Sequence, residues 1–244
     1  MNIPLKTTYT LKKGDNLYKI AQYYNTTVKK ILSDNKHLNP NNLMSGEVIN
    51  IELTNAVAHN KERDGISIEE FQLSNGMRMR WEEHVMWTRS YIISVLESLP
   101  DSNQVVQRLL ENPDDIAALF SPYYPVEITQ TISKLLTEHL TIAAALLAAL
   151  KAGDMAEFNK QDKAWYKNAD DMANAFSSIN PYYKKEDIKK MLYHHLDLTK
   201  KEAAERNSKK YADDIRTYDE IQKQALFMAD MFTKGLVQQF PNKF

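Results

Sequence analysis

From about Phe71 to its end the sequence is interrupted at only six places, "LPDSN", "ENPDD", "SPYYP", "KAGD", "NPYY" and "RNSKK". Between them apolar residues recur at helical spacing. With 6 Gly and 8 Pro in 244 residues, there is too little turn chemistry to join many strands, so long helices must carry this part. The spacing predicts long helices near 76–98, 125–152, 155–179 and 207–238, with shorter ones near 102–121 and 184–206. "NPDD" reads as a helix start, with Asn112 as cap, Pro113 at the first helical position and two acids at the positive end of the dipole. Thr199 to Glu202, "TKKE", reads as a capping box. The expectation for residues 68–244 is an all-α, up-and-down helical bundle with elaborations.

The first 53 residues differ in character. "TTYTLKKGDNLYKIAQYY" opens with a β-prone run, turns at Lys13-Gly14-Asp15, then shows helical spacing at Leu17, Ile20, Ala21 and Tyr24. "TTVKKILSDN" predicts a second short helix with Val28, Ile31 and Leu32 on its apolar face. After a polar loop, "EVINIEL" alternates as a strand does. The order strand, helix, helix, strand predicts a small α+β domain over 7–53, and the aperiodic, polar residues 54–67 read as a linker. The fold class is therefore mainly α, a βααβ module followed by a helical bundle.

The segments "YTLKKGDNLYKIAQYYNTTVKKILSDN" and "SGEVINI" resemble a LysM domain. The ordered set Y-x-L-K-x-G-D-x-L-x-x-I-A, a second helix ending in Asn35, and Gly46-x-x-Ile49-x-Ile51 carries the resemblance. It implies binding of peptidoglycan or another N-acetylglucosamine polymer in a shallow groove between two loops. The residues placed there are Gly14, Asp15, Asn16 and Leu17 in one loop, and Asn39, Pro40, Asn41, Asn42, Leu43 and Met44 in the other. Asn16 stands where the family pattern has Thr, and Met44-Ser45 where it has an aromatic-Pro pair, both in or beside that groove.

Composition removes several classes. Net charge is −1 with Lys and Arg mixed among Asp and Glu, so nucleic acid is not an expected partner. The absence of cysteine excludes thiolate metal sites, thiol catalysis and a disulfide framework. The longest apolar run, Ile142 to Leu150, has nine residues. A span needs about 20, so this run reads as buried helix and no membrane span is expected. "MNIPLKTTYT" has no apolar signal region, which predicts that the chain stays in the compartment where it is made.

At 100° per residue, His84 shares a face with Met77, Trp81, Thr88 and Tyr91, while Glu82, Met86 and Arg89 fall opposite. His139 shares its stripe with Ile132, Leu136 and Leu146, and one of His194 and His195 faces inward. In the last helix Ile215, Asp219, Gln222, Leu226, Asp230, Thr233 and Val237 suggest a seam with two acids in it. Inward His and Asp from several helices suit a divalent metal (Zn, Fe, Mn or Ni) held by His84, His139, His195 and Asp219 or Asp230. They equally suit a hydrogen-bonded polar core that fixes helix register. No Glu-x-x-His and no His-x-x-x-His pair occurs, and no catalytic residue is legible.

Most of residues 76–244 also look similar to an uncharacterised helical family of Gram-positive, often spore-forming, bacteria, through "WEEHVMWTR", "RLLENPDDI", "WYKNADDMA", "MLYHHLDLTKKEA" and "QQFPNKF". An acetylglutamate-kinase label sometimes attached to such proteins has no support here, since no Gly-rich phosphate loop is present. Together these features predict a glycan-tethered structural or interaction protein, in a spore envelope with protein partners in a surface assembly. The alternatives are a metal-dependent enzyme on the same bundle and a LysM adaptor in a phage-tail-like assembly.

Overall fold

The computed structural model describes residues 5–12, 14–24, 26–40, 43–53 and 65–244. The chain divides into two compact units, one ending at Asp64 and the other beginning at Gly65; most of the expected linker lies outside the described residues.

The first unit runs β1 (Leu5–Thr10), α1 (Leu17–Tyr23), α2 (Val28–Asp34) and β2 (Val48–Leu53). The strands pair antiparallel, with Leu5 opposite Leu53 and Thr10 opposite Val48. Alternation sends Ile49 and Ile51 inward, where they meet Leu11, Leu17, Ile20, Ala21, Ile31 and Leu38. Asn35 joins helix to sheet. Its side-chain N–H groups donate to the carbonyls of Ile31 (2.7 Å) and Asn50 (2.7 Å), and its Oδ1 accepts from the Asn50 N–H (2.7 Å). Asn35→Ala strips both backbone groups of Asn50 of this partner, at about 1–3 kcal/mol for each group left unsatisfied. So small a core has little reserve. Proteolysis of the variant is expected to digest the first unit while the helical unit stays protected; equal protection of both would refute this role.

The second unit contains α3 (Ile68–Leu96), α4 (Ser102–Leu109), α5 (Asn112–Ala118), α6 (Val126–Ala152), α7 (Met155–Ile179), α8 (Lys185–Asn207) and α9 (Tyr211–Gln239), then a 3-10 turn at Pro241–Lys243. Three departures from the expected helices have local causes. α3 begins eight residues early because Ser67 caps it, accepting from the Glu70 N–H. The expected capping box lies inside α8: Thr199 Oγ1 donates back to the His195 carbonyl, and Glu202 pairs with Arg89 on α3. Asn112 does not cap α5, because its side chain is committed to α3. By length and composition α6 could cross a membrane; here Ile132, Leu136, His139, Leu140, Leu146 and Leu147 are buried.

Short connections make α6, α7, α8 and α9 antiparallel in turn. α3 runs opposite to α9, as Arg78–Asp230, Arg89–Asp214 and Glu97–Lys209 pair along their lengths. α3, α6 and α8 therefore point the same way. Each carries one buried stripe at matching positions: Met77, Trp81, His84, Val85 and Ile92; Ile132, Leu136, His139, Leu140 and Leu147; Ile188, Leu192, His195, Leu196 and Ala203.

The intervening helices match as well. α5, α7 and α9 contain "NPDDIAALF", "NADDMANAF" and "QALFMADMF", starting at Asn112, Asn168 and Gln224. In each, the first residue, the fifth, the sixth and the closing Phe are buried. The helical unit is thus a threefold internal repeat of helical hairpins. Phe120, Phe176 and Phe232 meet on one another with ring centroids 4.6–6.0 Å apart.

Candidate functional site

The repeat brings three imidazoles together. His84, His139 and His195, each 3% exposed, have ring centroids 5.7–6.3 Å apart. One nitrogen from each ring lies within 4.8 Å of the other two. Behind each ring stands an amide: Nδ1 lies 3.0 Å from Asn112 Oδ1 for His84, 3.1 Å from Asn168 Oδ1 for His139, and 3.0 Å from Gln224 Oε1 for His195. The amide orientation is set by its other end. The three NH₂ groups donate to the carbonyls of Arg80, Leu135 and Met191, four residues before each histidine. A carbonyl can only accept, so the amide oxygen must face the ring and Nδ1 must carry the proton. That leaves the lone pair of each ring on Nε2.

Burial first of all, and for His139 also the other two rings, holds these groups neutral. His84 falls to about 4, His195 to about 3 and His139 well below the ordinary histidine value. A lowered pKa means that the unfolded chain takes up protons the folded one refuses. Stability is therefore full above pH 6.5 and is lost as pH falls through the folded values. For the metal-free protein this amounts to a loss on the order of 3 kcal/mol from His84 alone by pH 4. Urea midpoints measured from pH 7 to pH 4 should fall steeply, and less steeply in His84→Leu. A profile unaltered by that substitution would show that His84 titrates freely.

On the N-terminal side the triad rests on packed rings: Trp81 contacts His84 (5.5 Å) and stacks on Phe232 (5.6 Å, 4° between planes). One turn beyond the histidines, Thr88, Ala143 and Thr199 line a mostly apolar cavity of about 30 Å³ with Trp165, Ile92 and Leu147. Trp165 packs on His139 (5.2 Å). The indole N–H groups of Trp81 and Trp165 are buried without an acceptor.

In the first unit, the Leu11 N–H donates to the Glu47 carbonyl (2.8 Å) and the Gly46 N–H to the Leu11 carbonyl (2.7 Å). This sets the Lys12–Asn16 turn beside the Met44–Glu47 turn. Gly14 (φ 89°) and Gly46 (φ 95°) supply the left-handed backbone both turns need. Residues 9–52 match the LysM domain family. This stretch is a LysM domain. No curated protein and no solved structure matches the chain.

Within the LysM domain the expected groove residues divide by role. Gly14, Asn16, Asn39, Pro40 and Met44 are exposed, Asp15 and Leu43 half-buried. Asp15 accepts from the Lys12 N–H (2.7 Å) and Asn16 from the Lys19 N–H (3.1 Å), so both side chains shape the turn and the start of α1. Leu17, expected in the groove, is instead part of the LysM core, because its helical phase matches Ile20 and Ala21. Asn41 and Asn42 lie outside the described residues. A second groove of about 440 Å³ in the LysM domain, lined by Tyr9, Lys12, Asp15, Lys19, Ile20 and Tyr24, shares only Asp15 with the expected groove residues.

In the helical unit the three histidines meet as expected, but Asp219 and Asp230 do not join them. Asp219 is exposed, and Asp230 pairs at the surface with Arg78 (2.6 Å). The buried residues of α9 centre on Asp214, Thr217, Ile221, Gln224, Ala225, Met228, Phe232 and Leu236, about a third of a turn from the expected seam at 100° per residue, of which only Thr233 is buried. Its small and polar members obscured it, while exposed Ile215 imitated a core. The supporting amides were missed too. Their signal was the 55- and 56-residue intervals between the histidines, with Asn, Asn or Gln 28 or 29 residues after each.

Proposed function

We propose that the protein binds an N-acetylglucosamine glycan, with peptidoglycan as the natural polymer, through its LysM domain, and so holds the helical unit at that polymer. The family match over residues 9–52 carries this reading. The paired turns around Gly14 and Gly46 support it: Leu11 ties to Gly46 and Glu47, and Asn16 and Met44, one in each turn, are exposed. On the resemblance of residues 76–244 to proteins of spore-forming bacteria, we place that glycan in a spore envelope, which fractionation of spores would test.

The direct test is co-sedimentation of the full chain with purified peptidoglycan. The protein should pellet, be released by N-acetylglucosamine oligomers, and stay in the supernatant as Asn35→Ala. A wild-type chain that remains soluble at excess glycan would remove the reading.

A further inference from the structure

We propose that His84, His139 and His195 bind one divalent first-row transition-metal ion, zinc foremost, through their three Nε2 atoms. The inference is independent of the LysM reading. It rests first on the convergence of three rings with their nitrogens within 4.8 Å. An ion held by about 2.0–2.1 Å Zn–N bonds in tetrahedral geometry needs those nitrogens roughly 3.3 Å apart. Small turns about the histidine side-chain bonds close that difference.

The second support is the way each ring is held. A ligating imidazole commonly donates its other N–H to a fixed acceptor, which sets tautomer and aim. Here Asn112, Asn168 and Gln224 do this three times over, and each is itself anchored to a backbone carbonyl. A core that only needed filling would take leucine at these positions. With Nδ1 protonated, each ring offers its Nε2 lone pair, and one cation would engage all three at once.

The third support concerns the remaining coordination position. One turn beyond the histidines, which do not themselves line it, a cavity bounded by Thr88, Ala143 and Thr199 has room for about one water-sized ligand. Trp165, whose N–H has no acceptor, lines that cavity. An oxygen ligand, water or a small oxyanion, would take the fourth position on the ion. Three imidazoles with one open position make the site zinc-like and exchangeable rather than closed.

The test uses the full chain purified without a histidine tag, stripped with chelator, then offered Zn²⁺ or Co²⁺. One ion per chain should survive gel filtration, Co²⁺ should give the visible spectrum of a tetrahedral site, and the thermal midpoint should rise with metal. His139→Gln should lose stoichiometric uptake, and Asn168→Ala should weaken affinity about 10- to 100-fold. Replacing His37, His59 and His194 together by Ala should leave uptake intact. The wild-type comparison with and without chelator decides the matter if His139→Gln fails to fold. A wild-type chain that retains no metal and shows no shift in midpoint, or uptake lost with His37, His59 and His194, overturns the proposal.

Discussion

Arg89→Met is expected to destabilise the helical unit by about 3–5 kcal/mol, the range for removing one partner of a buried ion pair. Arg89 is the bridge between α3 and two acids on the opposite side. Its guanidinium donates to Glu202 on α8 and to Asp214 on α9, whose side chains are 2% and 0% exposed. Arg206 still reaches Asp214 (3.3 Å), whereas Glu202 loses the cation it is paired with. Burial pushes Glu202 up to about 7, and Arg89 is the group that opposes this.

The pH dependence has a definite sign. A carboxyl with a raised folded pKa contributes stability below its unfolded value, and loses it as pH rises through the folded one. In the wild type that window runs from about pH 4.5 to about pH 7. Without Arg89 the folded value climbs further, so the variant's defect should be larger at pH 8 than at pH 5. Denaturant midpoints of both proteins at these two pH values would show it; a defect independent of pH would mean that Glu202 stays charged without Arg89. Glu202 opposes the histidines, whose contribution is lost on acidification, but three buried imidazoles outweigh one carboxyl.

The second large effect is expected at Phe232. Its ring is fully buried, stacks on Trp81, and touches Phe120, Phe176 and Tyr183. Phe232→Ala should cost about 3–5 kcal/mol, from lost transfer energy together with the cavity left beneath the histidines. Because Phe120 and Phe176 hold equivalent places in the repeat, their alanine variants should fall in the same range. Unfolding curves with lower midpoints and unchanged slopes would bear this out. A loss at Phe232 below about 1 kcal/mol would show that the cluster collapses to refill the space.

Much of this architecture was legible in the order of residues. The LysM domain was readable from Gly14-Asp15, the helix ending in Asn35 and the Gly46 turn, because a small βααβ unit ties few positions tightly to local backbone needs. Helix limits followed from capping and breaking residues, except at α3, whose Ser67 cap reads as linker, and where a capping residue had a partner elsewhere, as Asn112, Thr199 and Glu202 do. The inward direction of His84 and His139 came from helical phase alone, which left open whether His194 or His195 was the third. Arg89 was read as solvent-facing, since phase cannot report a long side chain that reaches back to buried acids on two other helices.

By itself, then, the sequence determined the βααβ module, the helical unit and the faces on which His84 and His139 lie, all consequences of local backbone chemistry and periodicity. Only the tertiary structure decided that these faces meet at one point. It also decided that amides on α5, α7 and α9 set their tautomer and that Asp219 and Asp230 stay outside. The physical reason is register: a helix fixes the direction of a side chain about its own axis, but how far helices slide along one another is set by packing over the whole bundle.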